Sequence, residues 1–416
     1  MSSSTGPTVR QALRSSRMQR LLAARVISNI GNGVAPIALA FGVLALPGST
    51  PSSLSLVLVA QAVPLLLVLP IGGVIADRLG RARVVAGSDL ILGVLVIVMG
   101  VLFITGTATI PVLAGLGVVA GMLNGLWYPA FAGLVPDVVP DEHLQPANAL
   151  VSMGSNAGMI VGSAIGGLLV SLVGAGPAIA LDGLTFIAGG ILVATIRHSS
   201  RPHDSGESAL TDLVQGWRVF WSYRWVVVTV VSFSFMVMVL RGSEEVLGPV
   251  LALQHYGGPA GWSVVLGFMF AGLLLGGLLG SRVSVRRPLV VGMLACLTLP
   301  AWLVTLAFAA PLPVVAAGSL LWGVAIEWFT VLWSTAMQTN IPREALSRVA
   351  SYDAFGSLMF GPIGLAIAGP LVALIGLQSA FLAAAAIAVV TIAASVASRS
   401  VRSLRRSVPG EDPACR

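Results

Sequence analysis

Residues Gly73 to Arg83 read GVIADRLGRAR, and the fold turns on how that stretch is understood. Before it, residues 54–76 are apolar and long enough to cross a bilayer; after it, residues 84–104 are nearly so again, broken by Ser88 and Asp89 near the start. The stretch is therefore a very short loop between two spans, with charge gathered where a membrane chain turns. Gly73, one helical turn before Asp77, lets a neighbouring helix come close. Gly80 supplies the left-handed backbone of a tight turn. Arg78, Arg81 and Arg83 stay at the headgroups and fix this loop on the cytoplasmic side.

The rest of the chain has the composition that this reading needs. Of its 416 residues 56% are apolar and 9% charged, against about 25% charged in soluble domains. The net charge of +7 comes from 23 arginines and no lysine. So basic a chain raises nucleic acid as a partner, and the placement of the arginines excludes it. They occur at 10, 14, 17 and 20, in the 78–83 loop, at 197, 201, 218 and 224, at 282, 286 and 287, at 343 and 348, and from 399 onward. Every second connection carries them, whereas the connections near 47, 105, 174, 309 and 376 carry none. That alternation places both termini in the cytoplasm. Arg25 and Arg241 fall within spans.

The absence of lysine excludes a phosphate-loop lysine and a Schiff base, and with them most ATP-driven mechanisms. Histidines at 143, 198, 203 and 255 have no zinc spacing, and Cys296 and Cys415 form no disulfide framework. No metal and no cofactor is expected. The basic start leading into an apolar run is also the pattern of a secretory signal. Residues 21–46 are too long for that and lack a clear cleavage site, so they read as the first span.

Apolar runs predict twelve transmembrane helices, at 21–46, 54–76, 84–105, 109–133, 147–173, 177–196, 225–250, 261–282, 288–309, 313–336, 349–374 and 378–398. The expected fold is an all-α integral membrane protein of two pseudo-symmetric six-helix bundles. A cytoplasmic basic tail (1–20) precedes the first bundle (21–196), a cytoplasmic linker (197–224) joins it to the second (225–398), and a cytoplasmic tail (399–416) follows. From Ala209 to Arg224 the linker alternates apolar and polar residues, including Trp217, Phe220 and Trp221, as an interfacial amphipathic helix does.

The halves echo each other. Gly73, Arg78 and Arg83 match Gly277, Arg282 and Arg287 at an offset of 204, with Ser281 in the place of Asp77. Pro140-Asp-Glu-His-Leu matches Pro342-Arg-Glu-Ala-Leu at 202. Two matches at nearly one offset point to a parallel internal repeat.

The pattern G-x-x-x-D-R-x-G-R-x-R between two spans resembles the loop between helices 2 and 3 of the major facilitator superfamily of transporters. That resemblance implies a gating role for Gly73, Asp77, Arg78, Gly80, Arg81 and Arg83, with Asp77 reaching the N-terminus of helix 11, where peptide dipoles favour negative charge. In span 5, Gly158, Gly162, Gly166 and Gly167 resemble the antiporter signature G-x-x-x-G-P-x-x-G-G, with Ser163 where the proline belongs. As a flat face they suit close packing at the interface of the two halves. The span 4 arginine of many proton-coupled exporters in the superfamily is missing, since 118–129 reads VVAGMLNGLWYP. PDVVPDEHLQPANAL, LDGLTF, VLGPVLA and IPREALSRVAS resemble the branch of macrolide efflux proteins and enterobactin exporters.

Ionisable groups within spans cost about 2.5–3.5 kcal/mol each at mid-helix, so they face a cavity or pair with one another. Asp182 lies in span 6, Glu327 well inside span 10, and Arg241, Glu244 and Glu245 in the outer half of span 7. Arg241 is three and four residues from the two glutamates and can pair with either. Glu327 shares a stripe with Ser334 and Gln338 that would line a water-filled path, and it could take up and release a proton as access alternates. For each acid the alternative is a satisfied structural role. Asn29 and Asn32 in span 1, and Asn124 in span 4, add mild polarity to an apolar cavity. Asp89 and Asp353 read as helix-end contacts, and Arg25 as close enough to the inner surface to snorkel.

The expected function is export of small amphipathic compounds, drug-, antibiotic- or siderophore-like, across the cytoplasmic membrane by alternating access, in exchange for protons. Membrane lipids surround the chain, and the direction of transport rests on the resemblance. A metabolite or lipid symporter or facilitator, or a non-transporting receptor on the same scaffold, is the alternative.

Overall fold

The computed structural model describes residues 15–140, 143–196, 217–280, 283 and 285–404. The expectations for residues 1–14, for the linker 197–216, for Ser281 and Arg282 and for the tail beyond 404 fall outside them. All regular structure among the described residues is helical, with no strand. Among the described residues twelve helices are long and apolar enough to cross a bilayer: spans 1 to 6 are Ser16–Leu44, Pro51–Leu79, Arg81–Ile104, Ile110–Val138, Pro146–Val173 and Ala175–Ala194. Spans 7 to 12 are Arg224–His255, Pro259–Gly280, Pro288–Ala307, Leu312–Asn340, Val349–Ile375 and Leu377–Ala397.

Local chemistry sets the ends. Ser15 caps span 1 by accepting from the Met18 N–H. Thr50 and Ser53 form a reciprocal capping box on span 2, with Pro51 at its first position, where no N–H is required. Between spans 2 and 3 the turn shrinks to one residue: helix ends at Leu79, helix begins at Arg81, and Gly80 stands between them at φ 93°.

Three spans depart from regular helix. Span 7 passes through a π-helical turn, Ser243–Leu247, span 9 breaks between Ala295 and Thr298, and span 11 breaks between Leu358 and Gly361. Each departure includes or directly follows the residue four before a proline (Pro249, Pro300, Pro362), whose carbonyl the pyrrolidine ring crowds. Prolines 36, 64, 70, 129, 136 and 370 nonetheless sit inside unbroken helix. Proline marks where a span can break, and the surrounding packing decides whether it does.

The chain forms two compact units. The first gathers Met1–Asp204 with Glu244–Gly267 and Leu365–Ala373; the second holds Ser205–Ser243, Phe268–Gly364 and Leu374–Arg416. The first unit thus takes in two pieces of the second sequence half, both next to arginine-free connections. The residues explain why they fit. The Gly369 N–H donates to Ser55 Oγ at 2.9 Å, and a Cβ on Gly369 would lie 2.6 Å from the Pro51 carbonyl carbon. Gly167 is covered by the backbone of Pro259 and by Ser263.

Glycines carry the helix packing inside each unit, as they must where lipid removes the hydrophobic drive between helices. In the first, Gly117, Gly121 and Gly125 of span 4 lie on the backbone of span 2 at Val57, Gln61 and Leu65. Gly93 and Gly100 of span 3 meet Gly183 and Gly176 of span 6. In the second, Gly323 of span 10 lies on Met269 of span 8, and Gly272 and Gly276 on Leu320 and Val324. Spans 2 and 4 thus pack as spans 8 and 10 do, which is the internal repeat in three dimensions.

Candidate functional site

The loop after span 2 is held by one side chain. Arg81 bonds Asp77 Oδ1 through Nε and NH2, both at 3.0 Å. Its NH1 donates to the Gly133 carbonyl at 2.9 Å and reaches Asp137 Oδ1 at 3.5 Å. The planar guanidinium suits this fork of acceptors. A Cβ on Gly133 would come 2.6 Å from Arg81 Nε, so the glycine makes the room. Asp77 and Arg81 are 49% and 31% exposed as side chains, and water competes for the pair. Gly73 has only Pro129 near a would-be Cβ, at 3.7 Å. Its neighbour Gly72 makes the close approach, under the Gly125 carbonyl.

The span 5 glycines pack mostly on span 1. A Cβ at 158 would lie 2.6 Å from the Val26 oxygen and one at 166 3.1 Å from Val34 Cα, and Gly162 lies directly on the Ile30 carbonyl. Gly167 is the one turned toward Pro259 and Ser263. Ser163, where the antiporter signature has proline, is 1% exposed and donates to the Met159 carbonyl one turn back.

The acids of the spans have unlike surroundings. Asp182 is 2% exposed, lies against Gly31 and leaves Oδ1 without a hydrogen-bond partner. Glu327 is half-buried beside Gly276 and Gly277 of span 8 and has no ion-pair partner among the described residues; Ser334 and Gln338 on its stripe are exposed. Glu244 and Glu245 fall in the π turn directly after Arg241. The expected regular spacing of those three is therefore altered, because a π turn adds a residue. None of the three is free of interactions. Asn29, expected to add polarity to a cavity, is 3% exposed and bonds the Arg25 carbonyl at 2.9 Å. Asn32 donates to Asn29 at 3.4 Å, and Asn124 bonds back to the Ala120 carbonyl at 2.9 Å.

Two clusters were not legible as sites. In the second unit Asp353 accepts from Trp333 Nε1 at 2.9 Å, and rings run from Trp225 through Trp333 and Phe329 to Phe233. In the first unit Arg25 is partly buried, and its head is held by named groups. Its guanidinium carbon stands 4.7 Å from the Trp127 ring and 4.9 Å from the Phe131 ring, and Nε donates to Ser155 Oγ at 3.1 Å. Asp89, expected to be a helix-end contact, is 4% exposed, with Gly190 of span 6 against it: a Cβ on that glycine would lie 3.1 Å from Asp89 Cβ. The signal in the sequence was the aromatic pair at 127 and 131, one helical turn apart on one face.

Residues 21–358 match a family model described as Major Facilitator Superfamily. The multidrug efflux pump Tap of Mycolicibacterium fortuitum is 30% identical over 385 residues, covering 87% of this chain and 91% of that protein. The multidrug efflux pump Tap of Mycobacterium tuberculosis (strain H37Rv) is 28% identical over 386 residues, covering 88% and 89%. Among solved structures, the nucleoside transporter NupG superposes with a TM-score of 0.73 at 13% identity, over 92% of this chain and 98% of its own. A bacterial homologue of the human lysosomal transporter Spinster gives 0.71 at 14% identity, over 93% and 96%. At those identities the structural likeness speaks for the fold.

Proposed function

The chain belongs to the major facilitator superfamily, and on that premise we propose that it exports small amphipathic compounds across the cytoplasmic membrane by alternating access, in exchange for protons. It is a multi-pass membrane transporter, not an enzyme. The observation that carries export is the similarity to a multidrug efflux pump along nearly the whole of both chains. A drug-, antibiotic- or siderophore-like solute suits spans that are mainly apolar and hold no lysine, whereas a sugar or phosphate would require several polar partners. Export is from a cytoplasm that holds both termini, a placement supported by the alternation of arginine-bearing connections.

Proton exchange is supported by carboxyl groups inside spans that lack an ion-pair partner among the described residues, Glu327 foremost. The two sequence halves, 21–196 and 225–398, are the bodies whose rocking alternates access. The Asp77 and Arg81 loop holds one of the end states.

Inverted membrane vesicles test the reading with ethidium, an apolar aromatic cation. An imposed pH gradient, acid inside, should drive ethidium accumulation, and dissipating the gradient should release it. E327Q should abolish accumulation while leaving exchange across equal pH, and D77N should slow both. Accumulation indifferent to the gradient would remove proton exchange; no flux at all would favour a receptor on the same scaffold.

A further inference from the structure

Where span 12 ends, in the second unit, the chain turns instead of running on. Helix stops at Ala397, Ser398 is extended (φ −63°, ψ 130°), and a short helix, Arg399–Ser403, begins after it. Val401 fixes that helix by being fully buried, and the helix packs against span 7. Arg402 is occupied with the turn itself, since its Nη2 donates to the Ala397 carbonyl at 2.6 Å. Arg399 is not. It is exposed and lines, together with Arg224 at the start of span 7, one groove of about 550 Å³. Neither guanidinium has an ion pair or a hydrogen bond among the described residues, and no acid lines the groove.

The remaining lining has two characters. Ser398 and Ser400 are polar, with Oγ atoms 2.9 Å apart. One hydroxyl donates to the other, which leaves one O–H for a further acceptor. Val227, Val228 and Trp221 are apolar, and the indole of Trp221 is 51% exposed and meets Trp217 edge-on at 5.5 Å. Arginine at the end of a span follows from topology alone. Topology alone, however, does not require arginines from two different spans to share one groove with two hydroxyls and no acid. Forked N–H donors with a hydroxyl beside them match the oxygens of a phosphate. A tryptophan and two valines at the same place match the acyl end of a lipid and give nothing to a free anion.

We propose that this groove binds the phosphate of an anionic phospholipid, with Arg224 and Arg399 on its oxygens, the spare serine O–H as a further donor and an acyl chain along Val227 and Val228. A choline headgroup would bring a cation that finds no acid there, so the net anionic lipid is preferred. Basic pockets at the ends of spans recognise such headgroups by charge. The assignment needs spans 7 and 12 in a membrane, and it depends on neither export nor proton exchange.

The test is native mass spectrometry of the full chain released from detergent micelles, titrated with phosphatidylglycerol, with phosphatidylcholine of the same chains and with inorganic phosphate. The first phosphatidylglycerol should bind more tightly than phosphatidylcholine, and R224Q/R399Q should weaken it about tenfold. R17Q, the same loss of charge at an exposed arginine of the first unit, should leave it unchanged. R224Q and R399Q should each weaken it in part, and they decide where the double variant does not fold. Inorganic phosphate in excess should not displace the lipid. Binding that ignores both arginines, or that is equal for the two lipids, overturns the assignment. Displacement by inorganic phosphate also overturns it, and gives the groove to a soluble anion.

Discussion

Gly80 and Gly73 belong to the same motif, and they answer differently to one added methyl group. Gly80 is the whole turn between spans 2 and 3 at φ 93°, where an L side chain is strained at a cost of about 1–3 kcal/mol. G80A should therefore lower the unfolding midpoint of the purified protein, whereas G73A, with its nearest neighbour at 3.7 Å, should leave it unmoved. Arg81 separates stability from function. Its pair with Asp77 is partly exposed, so removing it costs under about 1 kcal/mol. A lysine cannot reach Asp77 and Gly133 together. R81K should keep the unfolding midpoint and lose most ethidium flux. At this scale the sequence marked the turn at Gly80, because glycine between two spans has few meanings, but it gave the close approach to Gly73 where Gly72 makes it. It hid the surroundings of Arg25 and Asp89, since an arginine or an acid within three turns of a helix end looks the same whether it reaches water or turns inward. The difference lies in Trp127, Phe131 and Gly190, which are far away in the chain.

Helices were legible as apolar runs, and all twelve are present; their interruptions were not. Nine candidate prolines lie inside or near the spans' interiors, and only 249, 300 and 362 coincide with a π turn or a break. The ring clash is local, but the decision to yield depends on what packs around the turn. Glycine spacing was a better guide, and span 5 shows its limit: the small face was predictable, whereas its partner, span 1, could be seen only in three dimensions. The packing gives a paired prediction. Gly162 lies on the Ile30 carbonyl, while Gly115 has nothing within 4 Å of a would-be Cβ. G162A should cost about 1–3 kcal/mol by overpacking, read as a lower unfolding midpoint and a broadened size-exclusion peak. G115A, the same chemical change, should cost neither.

For the molecule as a whole, the informative boundary is that of the first unit, which draws Glu244–Gly267 and Leu365–Ala373 from the second half of the chain. If access alternates, those segments must leave the first half during every cycle, and the bond from the Gly369 N–H to Ser55 Oγ must break each time. Two polar atoms 2.9 Å apart make the positions candidates for a cysteine pair, with G369C alone as the control for its Cβ, which would lie 2.6 Å from the Pro51 carbonyl carbon. Cys296 is buried and would not compete, and Cys415 can be removed as C415S. The double variant S55C/G369C should cross-link under mild oxidation, seen as a mobility shift, and oxidation should stop ethidium flux in inverted vesicles. Reduction should restore it. Flux that continues across a completed cross-link would mean that the segments stay together throughout the cycle. Transport would then have to run without parting Ser55 from Gly369, which the alternating-access reading does not permit.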